Sequence, residues 1–237
     1  MKLHLHTVPV FLALIALVSA PAAPSGSESL KALLARMDKA AGEFKAMTAQ
    51  FTYVTHTEVL NEDNTETGTT IMKKVQSGEV QGIVDFVSPD KHTLTFEKRR
   101  VKIYYPKIQS LEVYDLDKHG EHVDKFLMVG FGTSGAELAR DYDMSVVATE
   151  TMKDQPELRA IQLRLVPKSG EARQYVKSMD LWIPEQGDPY PVREKILLPS
   201  GDYRIVTYAG KKINPPLQPD ALQLKLPPGV KTVYPDK

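Results

Sequence analysis

Residues 101–116, VKIYYPKIQSLEVYDL, decide the fold. They read as two β-strands broken at Pro106, because β-branched and aromatic side chains recur with a period of two and proline cannot continue a ladder. Successive strand residues point to opposite faces. Val101, Ile103 and Tyr105 therefore form one set and Lys102 and Tyr104 the other, while Ile108 and Tyr114 oppose Leu111 and Val113. Both faces carry apolar groups. A sheet lying on a single core is polar on its outer side, so the second face here must cover something.

The same period runs outward from this stretch. Segments 48–60, 66–76, 79–87, 92–97, 100–105 and 108–115 follow one another, separated by turn residues such as NEDN, SGE and SPD, as in an antiparallel meander. After a break at 117–144, strand patterns return at 145–150, 158–166, 174–183, 191–198 and 202–209, and the tail QLKLPPGVKTVYP supplies one last short strand. Two segments carry the helical period instead. SLKALLARMDKAAGEFKAM places Leu30, Leu33, Leu34, Met37, Ala41 and Phe44 on one face, opened by Ser27 or Ser29 after a Pro/Ser/Gly linker at 24–27. TSGAELARDYDM holds a capping box, Ser134 with Glu137. The expected fold is mainly β with helices (α+β), one strongly curved antiparallel sheet of about eleven strands.

The chain has 237 residues, with 30 basic and 30 acidic side chains. Residues 1–22 have the layout of a secretory signal peptide: Lys2, then the apolar run VPVFLALIALV at 8–18, then small residues. That run is too short to span a bilayer. Cleavage near Ala22 leaves one expected domain, 23–237, exported to the periplasm and soluble there. Near-neutral charge favours neither nucleic acid nor stable membrane insertion. Cysteine is absent, which excludes disulfides, a thiol nucleophile and a lipid-bearing cysteine.

Motifs for chemistry are sparse. GFGTSG, 130–135, matches GxGxxG, but a dinucleotide site needs alternating strands and helices; a hinge leading into a capped helix fits better. His119 and His122, with Asp117, Glu121 and Asp124, could ligate a metal, yet a loop around Gly120 reads as a solvated turn. His56 and His92 stand alone on strands. No GxSxG, HExxH or P-loop occurs, and Asp85, Glu112 and Asp180 alternate with apolar neighbours as the polar side of a strand requires. No catalytic residue, cofactor or metal is expected.

What remains is the apolar surplus. In EVQGIVDFV, Val80, Val84 and Phe86 oppose Ile83 and Val87; in YVKSMDLWI, Tyr175, Met179, Leu181 and Ile183 oppose Val176 and Trp182. A curved sheet so lined makes an apolar pocket, to which adaptable methionines are suited. A filled barrel core satisfies the same pattern.

An N-terminal helix running into KAMTAQFTYV, the segment GIVDFVSPDKHTLTFEKRRVKIYYP, LVPK at 165–168 and the closing LKLPPGVKTV together resemble the LolA/LolB-type family of bacterial lipoprotein carriers. Pro89, Leu94, Tyr104 and Pro106 match its strand-ending proline and aromatic-x-proline strand, and Leu224, Leu226, Pro227, Pro228 and Gly229 match its closing PPxG strand. The resemblance implies a half-open antiparallel barrel lidded by helices, with acyl chains held inside. It maps the family's cavity aromatic to Phe86, with Val84 beside it. The family's lid-bonding arginine falls at Val80, with only Lys73 and Lys74 near, and a turn glycine falls at Lys98.

With the strand alternation, this places Phe51, Tyr53, Met72, Val84, Phe86, Leu94, Phe96, Ile103, Tyr105, Leu111, Val113, Met179 and Leu181 in the cavity and Leu33, Met37, Phe44 and Leu138 on the lid. The implied function is a monomeric periplasmic carrier of lipoprotein acyl chains or another lipid. Its implied partners are an inner-membrane release transporter and an outer-membrane acceptor. The rivals are a lipid or lipoprotein sensor module using the same cavity, which in this superfamily usually carries a second domain, and a hydrolase or metal enzyme using His119 and His122.

Overall fold

The computed structural model describes residues 26–75, 80–97, 100–115 and 129–235. The signal-like segment, the His119/His122 loop and Lys98 lie outside them. Helix α1, Gly26–Glu43, buries Leu33, Met37, Ala40 and Ala41 at helical spacing, with Phe44 just beyond its end. It starts before Ser27 and Ser29, whose side chains are outside the described residues. Its C-terminus is closed from far along the chain. Asn214 Nδ2 donates to the Glu43 carbonyl (2.9 Å), and its Oδ1 accepts from the amides of Lys45 and Ala46 (2.7 and 3.1 Å), satisfying groups a helix end leaves open.

Six strands follow: β1 (Ala46–Thr57), β2 (Glu62–Lys74), β3 (Val80–Ser88), β4 (His92–Glu97), β5 (Arg100–Tyr105) and β6 (Ser110–Asp115). Helix α2 (Gly135–Asp141) carries the expected capping box, the Glu137 amide donating to Ser134 Oγ and the Ser134 amide to Glu137. Then come β7 (Tyr142–Met152), β8 (Gln155–Pro167), a one-turn helix α3 (Ala172–Tyr175), β9 (Ser178–Pro184), β10 (Arg193–Leu197), β11 (Tyr203–Ile213) and β12 (Lys231–Val233). The twelve strands of the described residues form one curved sheet in the order β12-β6-β5-β4-β3-β2-β1-β11-β10-β9-β8-β7. Its end strands do not pair, so the barrel is half-open, as expected.

Three local expectations change. The strand expected at 174–183 begins only at Ser178, and Tyr175, in α3, is exposed. The last strand pairs with β6 in parallel: β11 and β6 run the same way in the alternating sheet, and the segment 214–230 between β11 and β12 is long enough for a crossover connection. Lastly, a 3₁₀ turn at Pro106–Ile108, ending on Gln109 in the left-handed region (φ 49°, ψ 40°), sets Ile103 opposite Glu112 and Tyr104 opposite Leu111. Leu111 and Val113 therefore lie on the face opposite Ile103 and Tyr105.

That opposite, outer face is where the opening question finds half its answer. Ile83, Thr95, Tyr104 and Leu111 share it through register and are all buried. They trace a diagonal from β3 to β6.

Candidate apolar site on the inner face

The inner face is built outward from β1. Met47, Ala49, Phe51 and Tyr53 alternate inward along it. On one side Met47 faces Met72 and Phe51 faces Gly68; on the other Phe51 faces Tyr208 and Tyr53 faces Val206. The row continues through β3 to β5: Gly68 to Phe86, Met72 to Gly82, Gly82 to Phe96, Val84 to Leu94, Leu94 to Ile103, Phe96 to Val101. Phe51, Met72, Phe96 and Val101 are buried in one cluster with Ala40 and Phe44, and Tyr53, Val84, Phe86, Leu94 and Ile103 are only partly buried against it. Coverage is greatest around Met47, Phe51, Met72 and Phe96; it is partial at Tyr53, Val84, Phe86, Leu94 and Ile103 toward one end of the face and also at Val80, Tyr114 and Ile213 toward the Ala46 end of β1.

The second half of the inner face belongs to β7–β10. Leu163, Leu165, Met179, Leu181 and Ile183 pack with Leu33 and Met37 of α1 and Leu138 of α2. The two helices therefore lie over this half. Of the cavity residues expected from sequence, the structure brings Phe51, Tyr53, Met72, Val84, Phe86, Leu94, Phe96 and Ile103 into one cluster, puts Met179 and Leu181 into the neighbouring one beneath the helices, and aligns Tyr105 with His92 on the same face. Leu111 and Val113 are excluded by register. Leu33, Met37 and Leu138 join the β7–β10 cluster, whereas Phe44 joins the β1–β6 side.

The helices are fastened by contacts that the sequence did not announce. Arg36 of α1 donates to the carbonyls of Pro184, Glu185 and Gly187 at 2.9, 2.9 and 3.0 Å. Tyr190 Oη donates to the Ala40 carbonyl at 2.9 Å. The GFGTSG glycines serve close packing. A Cβ on Gly132, at φ +74°, would stand 2.9 Å from Phe44, and one on Gly135 would stand 2.9 Å from Leu34. Phe131, between Gly130 and Gly132, is buried, stacked on Tyr190 and edge-on to Tyr208 (centroids 6.2 and 5.2 Å).

Besides Thr70, buried opposite Ala49 and Val84, polar groups gather on this face at two places. Toward the end of the face that carries Tyr53 and Ile103, His92 stacks on Phe86 at 4.1 Å, and burial followed by the charges of Glu112 and Glu66 raises the Tyr105 hydroxyl above its ordinary range. At the junction of the two apolar clusters, Glu194 faces Leu181 on one side and Val206 on the other and is buried. Burial pushes its carboxyl up to about 8, against the pull of Lys211 and a hydrogen bond from Tyr208. Burial likewise lowers Lys211 to about 8, and its Nζ donates to the carbonyls of Tyr190 and Pro191 at 2.6 and 2.8 Å. Strand parity alone would turn Lys211 away from Tyr208. A bulge, with Gly210 at φ +58° and two residues opposing Ala49, brings both to the inner side.

Among the described residues, no group of three or more His, Asp or Glu side chains is arranged to hold a metal, and no helix is long and apolar enough to cross a membrane. No protein-family model matches the sequence, and neither does any curated protein. Solved structures do match. MucB superposes with a TM-score of 0.50 at 15% identity, over 84% of this chain and 64% of that one. An uncharacterised conserved protein from Thermus thermophilus gives 0.50 at 14% identity, over 87% and 99%. A LolA superfamily protein from Nitrosomonas europaea gives 0.42 at 14% identity, over 83% and 97%. The chain spans less than two thirds of the MucB structure's length, and at such identities the likeness speaks to fold alone. A half-open curved sheet, twelve-stranded over the described residues, with its helices laid on the inner face, is the fold this chain shares with MucB and the Thermus thermophilus protein.

Proposed function

We propose that the protein is a periplasmic carrier that binds the acyl chains of lipoproteins, or of another lipid, on its inner face and moves them between membranes without chemical change. The observation that carries this reading is the partial coverage of Tyr53, Val84, Phe86, Leu94 and Ile103. Apolar side chains of a permanent core are enclosed, whereas these form a continuous inward surface left partly open. Each methylene buried there contributes roughly 0.8 kcal/mol, so a chain of about 16 carbons offers on the order of 12 kcal/mol gross. A carrier must also release its cargo, and displacing α1 and α2 from the same face offsets part of that gain.

The signal-like N-terminus supports export, and the family resemblance supports an inner-membrane donor and an outer-membrane acceptor as partners. A second reading, a sensor or interaction module, draws on the fold likeness to MucB, which has been crystallised with MucA. Purifying the protein from its native host and identifying bound lipids by mass spectrometry tests the proposal. Acyl lipids recovered in near-stoichiometric amount support it. A lipid-free protein that also fails to bind a fluorescent fatty acid overturns it.

A further inference from the structure

Glu194 is 6% exposed, and its Oε1 has no hydrogen-bond partner. A buried, unpartnered carboxyl oxygen is costly, and a leucine would fill the same space without that cost. Such an atom on an apolar face calls for a ligand group. Resting on the carrier reading above, we propose that Glu194 is a polar anchor within the acyl-chain site, its Oε1 carrying a hydrogen that it donates to the carbonyl oxygen of the ester or amide joining an acyl chain to its headgroup.

The surroundings narrow the chemistry. From β11, Tyr208 acts on the carboxyl and partly offsets the effect of its burial, while Oε1 is left without a partner. Lys211, on the same strand, is held by the Tyr190 and Pro191 carbonyls and forms no close ion pair with Glu194. Asp188 and Tyr190, ahead of β10, and Glu43, at the end of α1, complete the titratable groups around this junction, and Asp188 acts on Lys211 and Tyr190 rather than on Glu194. The register neighbours of Glu194 across the sheet are Leu181 and Val206.

Burial keeps the acid protonated at neutral pH, so it offers a donor to an acceptor and does not offer an anion to a cation. Its position between the two apolar clusters is where a chain passing from one to the other carries its polar linkage. Pockets for apolar ligands use a few such groups to fix orientation.

A matched pair of lipids tests this: monopalmitoylglycerol, an ester, and hexadecyl glyceryl ether, which has the same head and chain length but no carbonyl. Each displaces N-phenyl-1-naphthylamine from the mature protein at pH 7. The anchor predicts roughly ten-fold tighter binding of the ester, the equivalent of one good hydrogen bond. Glu194→Leu should keep dye and ether affinity and lose the preference; Glu194→Gln, with an amide donor, should keep it. In the wild type the preference fades as pH rises past about 8, and in Glu194→Gln it does not. Equal affinities for ester and ether in the wild type overturn the anchor, as does a preference that survives Glu194→Leu. If Glu194→Leu does not fold, the wild-type ratio and the contrasting pH profile of Glu194→Gln still decide. A protein that binds neither lipid nor dye overturns the carrier reading itself.

Discussion

Phe51 and Phe86 meet edge-to-face with ring centroids 5.1 Å apart, although their strands, β1 and β3, never pair. They reach each other over Gly68, which stands opposite both in register. A Cβ at that glycine would lie 2.7 Å from Phe51 Cζ and would collide with the Asp85 carbonyl. The glycine thus allows the two rings to close over β2, and the apolar inner surface is continuous from β1 to β4 because of it.

Gly68→Ala should therefore destabilise the fold by about 1–3 kcal/mol, the usual cost of overpacking a filled site. Thermal unfolding reads this directly. An unchanged melting temperature would mean that the two rings have more room than the structure gives them.

Arg36→Ala removes three charge-assisted hydrogen bonds between α1 and the segment after β9. We expect a loss of about 1–3 kcal/mol and faster hydrogen exchange in α1. Arg36→Lys should restore little, because a single ammonium cannot reproduce a planar fork spread over three carbonyls. Exchange in α1 that is indifferent to Arg36 would contradict its role as a fastening.

Stability should have a minimum near pH 8. The Glu194 carboxyl is raised from 4.5 to about 8 on folding, so between those values the folded state holds the extra proton and stability falls as pH rises. Lys211 is lowered from 10.5 to about 8, so above pH 8 the unfolded state holds the extra proton and stability rises toward pH 10.5. Glu194→Gln should abolish the falling limb. Denaturant midpoints measured from pH 5 to 10 check both limbs, and a flat profile would contradict the burial of this pair.

How much of this was legible in the sequence depends on which interaction set it. Helix α1 was plain from Leu30, Leu33, Leu34, Met37, Ala41 and Phe44, because a period of 3.6 is a local property. Most strands were plain for the same reason, and so was the Ser134–Glu137 cap. The side taken by Leu111 and Val113 was not, since it hangs on Gln109 adopting a left-handed turn. Within the strand segment 191–198 nothing singles out Glu194. Its burial comes from helices and strands distant in sequence, and the inward turn of Lys211 comes from a one-residue bulge at Gly210. The parallel pairing of β12 was hidden because it follows from the sheet order, in which β11 and β6 run the same way.

The central claim is that the end of the inner face carrying Tyr53, Val84, Phe86, Leu94 and Ile103 receives a guest and is not a permanent core, and Val84→Glu tests it most directly. Val84 is half-buried on that face, between Thr70 and Leu94 in register. In an open, wet site the empty protein can hydrate the new carboxylate, whereas a bound acyl chain strips that water at a cost of several kcal/mol. Melting temperature and affinity for a fluorescent fatty acid are to be measured on the same variant. The account predicts a melting temperature close to wild type with affinity reduced at least a hundred-fold, about 3 kcal/mol. A collapsed melting temperature, the mark of a charge forced into a closed core, would contradict it.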